Sequence, residues 1–112
     1  MEYPLCDRTV TVYRPDGEQI HRQVVHGCYF QFEDRLVTNA AGQQRERPFL
    51  LIMPGDSLRV FAGDRVIAGE GPPVTKAQWE QFIPALVPEL VQVGYVKPCY
   101  WQGSLCHAEA GN

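Results

Sequence analysis

Lysine is almost missing from this chain. Lys76 and Lys97 are its two lysines, and the remaining eight of its ten basic residues are arginine. Acidic residues outnumber basic ones thirteen to ten, giving a formal net charge of −3. That balance argues against non-specific duplex binding, because neutralising phosphates takes clustered Lys and Arg, and only Arg45 and Arg47 lie close together. No apolar run approaches the roughly 20 residues that span a bilayer. The opening MEYPLCDRTV has neither the basic nor the apolar part of a secretion signal, so a cytoplasm-like compartment is expected. Cysteine is sparse as well. Cys6, Cys28, Cys99 and Cys106 are too scattered for the disulfide framework of a small secreted domain, and are expected as mostly reduced core thiols. Internal repeats and low-complexity tracts are absent.

What remains is ordinary globular material. A hydrophobic fraction of 45% excludes wholesale disorder, and 112 residues suffice for one domain with a core but not comfortably for two. Period-2 patterning dominates. VTVYRPDGEQIHRQVV predicts a hairpin, with Val10 and Val12 on one face and Thr9, Thr11 and Tyr13 on the other. GCYFQF predicts a third strand with Cys28, Phe30 and Phe32 inward, and FLLIM, Phe49 to Met53, a strand buried on both faces. From residue 33 to 47 the pattern lapses into a polar loop or arm, about as long as an ordered connection becomes.

Met53 to Gly71, MPGDSLRVFAGDRVIAGEG, poses a choice between ligand loop and strand turns. Asp56, Asp64 and Glu70 are separated by strand-forming residues and cannot converge on one calcium ion. No helix with Lys and Ser or Thr follows to make a phosphate cradle. The stretch therefore predicts two strands, SLRVFA and RVIAGEG, and their turns. Helical periodicity occurs once, at about 75–83. Thr75 and Gln78 have capping-box spacing, and Trp79, Phe82, Ile83 and Leu86 form an apolar stripe that Pro84 interrupts. After Pro88 alternation resumes, ending in a hairpin that turns near Gln102 and Gly103. The predicted fold is mainly β: a small antiparallel barrel or sandwich over residues 1–112 with one short helix.

Candidate chemistry is thin. Cys99, Cys106 and His107 are close in sequence, but zinc sites usually show two short Cys/His pairs, and a Cys–His nucleophile needs a geometry that spacing does not supply. His21 and His26 read as solvent-facing strand residues, and Glu33 and Asp34 as a solvated strand end. No catalytic constellation emerges, and no cofactor or metal is expected. Tyr95, Tyr100 and Trp101, with Tyr29, could stack single-stranded bases on an exposed barrel face, or fill a core or a subunit contact.

The order of VTVYRPDG, VVHGCYFQ, the central PGD and GDRVIAGEG, and the closing GSLCHAEAG resembles small minor capsid or head–tail connector proteins encoded by prophages of Gram-positive bacteria. The resemblance implies a non-enzymatic virion protein of mainly β fold, made in the host cytoplasm. Its copies would form a ring at the particle neck, beside portal or adaptor and tail proteins, with packaged DNA passing. Arg35, Arg45 and Arg47 on the polar arm, and Tyr100 and Trp101 near the C-terminus, are the expected partner-binding residues. A single-stranded nucleic-acid-binding barrel is the alternative.

Overall fold

The computed structural model describes residues 5–33, 35–40 and 42–112. Nine strands follow in order: β1 (Arg8–Asp16), β2 (Gln19–Phe32), β3 (Arg35–Asn39), β4 (Gly42–Glu46), β5 (Phe49–Pro54), β6 (Arg65–Ala68), β7 (Leu90–Gln92), β8 (Tyr95–Trp101) and β9 (Ser104–Gly111). Seven of them form one antiparallel sheet in the order β7-β6-β1-β2-β5-β9-β8, curled into a half-barrel, while β3 and β4 form a separate two-stranded sheet. The chain is mainly β with one short helix, as its patterning predicts.

The first hairpin turns at Gly17, whose φ of 60° suits the first central position of a two-residue turn. β2 then runs on without a break, so the two strands expected between Gln19 and Phe32 are one. Its register against β1 slips between Arg8, opposite Cys28, and Val10, opposite Val25. The extra residue makes a β-bulge where Gly27 has φ 76°, and a bulge bends a strand and sharpens its twist. The long β2 can thus pair with β1 along its first part and β5 along its last.

Curling brings the sheet's two edges together. β7 and β8 are consecutive stretches of one segment with only Val93 and Gly94 between them. Val93 N–H donates to Asp64 O and Gly94 N–H to Gly111 O, tying this corner to both sides of the sheet. Inside lie Val10, Val12, Val25, Cys28, Leu51, Met53, Val60, Val66, Val91, Val93, Ala108 and Ala110. Removing this apolar surface from water is the main favourable term in folding. β5 buries Phe49, Leu51 and Met53 inward but only half-buries Leu50 and Ile52 on its outer side, so it is not fully covered on both faces.

A second core lies outside the sheet, where Tyr13 and Leu90 meet Phe82 under the connection from β6 to β7. The helix there is a 3₁₀ helix, Lys76–Gln81, with the Thr75–Gln78 capping box formed in both directions. Trp79 and Phe82 pack inward, whereas Leu86 is 64% exposed, so the predicted apolar stripe is cut short. Pro84 explains why the helix goes no further: it cannot donate the next bond. Nor does SLRVFA form a strand. Residues 57–61 are irregular, with Val60 buried, Leu58 packed on the inner core and the Arg59 guanidinium donating to Pro54 O.

The outer segment is pinned to β1. Thr11 Oγ1 donates to Gly69 O at 2.7 Å and accepts from Gly71 N–H at 2.9 Å, while Tyr13 O–H donates to Pro72 O at 2.7 Å. Backbone and ring approach so closely that a Cβ on Gly71 would stand 2.1 Å from the Tyr13 oxygen and 2.7 Å from Ile67 Cγ2. Gly71→Ala is therefore expected to destabilise the fold by about 1–3 kcal/mol through overpacking, measured by urea unfolding; an unchanged midpoint would refute this packing.

Candidate functional site

Surface features concentrate at the two ends of the β2-β5-β9-β8 half of the sheet. Phe32 pairs with Phe49, Leu50 with Gly111, and Gly111 with Tyr95, so one end of four strands forms a row. The β3–β4 ribbon leaves and re-enters the sheet at this row. In the ribbon Arg35 stands opposite Glu46 and Arg45 opposite Leu36; the side chains of Arg35 and Arg45 lie outside the described residues.

Arg47, the third arginine expected on a surface arm, is buried instead, with 6% exposure. Its Nη1 donates to Val87 O at 2.6 Å and Leu90 O at 2.9 Å, and its own carbonyl accepts from Asn112 Nδ2. It anchors the ribbon's root to the turn before β7. The arm itself is a two-stranded ribbon rather than an irregular loop.

At the other end the β8–β9 hairpin turns through Gln102 and Gly103, with φ of 51° and 81°, both positive as a type I′ turn requires. Tyr100 is 63% and Trp101 62% exposed, while Val96 packs against the inner core. Tyr95 and Trp101 stand six residue steps apart along β8, or about 20 Å of strand. The expected contact residues are thus divided: Arg35 and Arg45 belong to one pole and Tyr100 and Trp101 to the other. Tyr29 does not join the exposed aromatics at the tip. It is half-buried on β2, and its O–H donates to Gln31 Oε1.

Most other arginines bond to groups within the fold, which sequence patterning alone does not reveal. Arg14 grips Asp64 with two bonds of 2.9 and 2.8 Å, and its guanidinium lies 4.3 Å from the centre of the Phe61 ring. Asp64, only 2% exposed, also accepts from Phe61 N–H. The Asp64 bond raises the Arg14 pKa further. Arg65 stacks 3.8 Å from the centre of the Trp79 ring and donates to Trp79 O and Phe82 O, with burial lowering its pKa. Arg22 donates twice to Gly71 O.

The cysteines are all free thiols, but only Cys28 is buried; Cys6, Cys99 and Cys106 are partly exposed, not core residues as expected. Cys99 faces His107 across β8 and β9, and a register slip leaves Cys106 as the extra residue beside them. Among the described residues no three His, Cys, Asp or Glu side chains are placed to hold a metal ion. His21 is exposed, and His26 Nδ1 shares a 2.9 Å hydrogen bond with Thr9 Oγ1. Glu33 is exposed at the end of β2, and Asp34 lies outside the described residues. No helix among the described residues is long and apolar enough to cross a membrane.

No family model, curated protein or solved structure matches this chain. Its distinguishing features are the two poles, held apart by a sheet whose arginines are largely engaged within the fold.

Arg47→Ala should cost about 2–4 kcal/mol, because two inward-facing carbonyls lose their donor; a loss below about 0.5 kcal/mol in denaturant unfolding would refute the anchoring role. Burial pushes the Cys28 thiol up from 9.0 to about 11. A proton held more tightly in the folded state gives stability that is complete below pH 9 and lost as pH rises from about 9 to 11. Replacing Cys28 by Ala should flatten this part of the pH–stability profile, and in the native protein Cys28 should be the last thiol to react with an alkylating reagent.

Proposed function

We propose that this chain is a non-enzymatic structural protein of a tailed-phage virion, a head–tail connector or minor capsid subunit that assembles with copies of itself into a ring between portal and tail. The observation that carries this reading is the placement of two projecting features at opposite ends of one β body: the self-paired β3–β4 ribbon and the exposed aromatic hairpin. A ring subunit needs two different faces, since head-to-tail contacts between unlike surfaces are what close rings. An isolated two-stranded ribbon is marginal in water, and docking on a neighbour would stabilise it. The resemblance of the chain's turn and strand motifs to prophage neck proteins points the same way.

Single-stranded nucleic-acid binding has less to draw on. Tyr100 and Trp101 could stack bases, but Arg14, Arg22, Arg47, Arg59 and Arg65 all donate to groups within the fold. The decisive experiment is to induce phage particles from the strain that encodes the chain, purify them and quantify it by mass spectrometry. The expected result is a low, fixed copy number comparable to that of the portal protein, with deletion giving heads without tails. Abundant chain in the lysate but none in the particles would overturn the reading.

A further inference from the structure

The β8–β9 hairpin changes register at one point. Pro98 stands opposite Ala108 and Tyr100 opposite Leu105, so one residue of β8, Cys99, faces two of β9, Cys106 and His107. Residues opposite one another in a ladder point to the same side of the sheet. Pro98 and Tyr100 are two apart and share a side, and buried Ala108 marks it as the side of the inner core. Cys99 therefore points outward. On β9 the inward positions are Leu105 and Ala108, and the bulge turns both residues between them toward Cys99 on the outer side. A regular strand would have sent Cys106 to the opposite face.

Two thiols thus share one face of the hairpin that carries the exposed Tyr100 and Trp101. Opposed Cα atoms in an antiparallel pair lie about 4.5–5.5 Å apart, inside the roughly 4.4–6.8 Å that a disulfide spans. Neither sulfur is sealed in the core, since Cys99 and Cys106 are both partly exposed. Each thiol donates a long bond to a carbonyl two residues back on its own strand, Cys99 to Lys97 O at 3.8 Å and Cys106 to Ser104 O at 3.7 Å. Thiols are weak donors, so rotation about one side-chain bond releases either. Cys28, by contrast, is fully buried in the inner core, where a reagent reaches it only if the fold opens.

We propose that Cys99 and Cys106 form a dithiol site that low-molecular-weight disulfides oxidise to a disulfide across the β8–β9 bulge. One thiol gives its proton to solvent, and its sulfur attacks a sulfur of the small disulfide, forming a mixed disulfide and releasing one thiolate. The second thiol, likewise deprotonated, attacks the protein sulfur of that intermediate and releases the other. Two electrons and two protons pass from the protein to the small disulfide, which leaves as two thiols. The site goes beyond the virion reading and does not depend on it. Its closure joins the strands below the turn, so the segment from Tyr100 to Leu105, with both exposed aromatic rings, lies within a covalent ring. In reducing surroundings the pair stays open, and it closes where small disulfides are in excess.

The test equilibrates the purified chain in glutathione buffers of rising oxidised fraction, stops exchange with acid, caps the remaining thiols and reads intact mass. The expected product has lost two hydrogens and two capping sites and carries no glutathione. Chymotrypsin, cutting after Tyr100 and Trp101, should split the ring and leave the Cys99 and Cys106 peptides joined. Closure should outpace any loss of capping at Cys28 by about tenfold or more. Cys99→Ser and Cys106→Ser, shown by circular dichroism to fold, should each stop at a mixed disulfide with glutathione on the remaining thiol of the pair. Hydrogen exchange in residues 100–105 should slow on oxidation and recover with dithiothreitol.

Glutathione accumulating on Cys99 and Cys106 without closure would overturn the proposal. So would a bridge that maps to Cys6 and Cys28 instead, or one that joins two copies on a non-reducing gel. A chain that keeps all its thiols in excess oxidised glutathione would overturn it as well.

Discussion

Between β5 and β7 the chain crosses the sheet with only a four-residue strand and a six-residue 3₁₀ helix as regular structure, so many of its carbonyl groups have no ladder to join. Buried main-chain acceptors must nevertheless be bonded. Arginines meet that requirement: Arg59 reaches Pro54, Arg22 reaches Gly71, Arg65 reaches Trp79 and Phe82, and Arg47 reaches Val87 and Leu90. A guanidinium offers several donors in a rigid plane and can bridge two carbonyls while its face lies on an aromatic ring, as Arg65 does on Trp79. Lysine could not do both, which gives the scarcity of lysine a structural reason. Those of Arg65 and Arg47 fix Trp79, Phe82 and Val87 where they pack with Tyr13 and Leu90, and this second core in turn backs β1, β6 and β7.

What sequence patterning could and could not show follows from the range of the forces involved. Alternation and turn chemistry are local, so the first hairpin, the Gln102–Gly103 turn and the Thr75–Gln78 cap were all legible. The bulge at Gly27 was not, because whether two extended runs are one bent strand depends on the partners each run finds. SLRVFA has strand-forming residues but lies where Arg59 and Asp64 fix an irregular path, and tertiary bonding outweighs propensity there. Asp64 was visible only as a turn residue. Its burial under Arg14 and Phe61 is a contact across 50 residues, beyond the reach of any local pattern. Arg47 misled for the same reason, since a polar neighbourhood in sequence conceals an anchor whose acceptors lie 40 residues away.

The candidate site was legible in its membership but not in its arrangement. Aromatic residues near the C-terminus and a polar arm in the middle could be named from composition. Their separation to opposite poles is a product of sheet order, because β5 lies between β2 and β9, and β8 continues the row on the far side. This polarity gives the molecule direction. The chain has one end that carries the ribbon and another that carries the aromatic tip.

That direction also sets how the protein would bear a load. A pull between the ribbon's root and the hairpin tip runs parallel to β2, β5, β9 and β8, so their ladder hydrogen bonds resist together in shear rather than parting one at a time. The register from Phe32 through Phe49 and Gly111 to Tyr95 is, in mechanical terms, a lap joint. A force across the sheet, prising β8 from β9 at its tip, would instead open it like a zip.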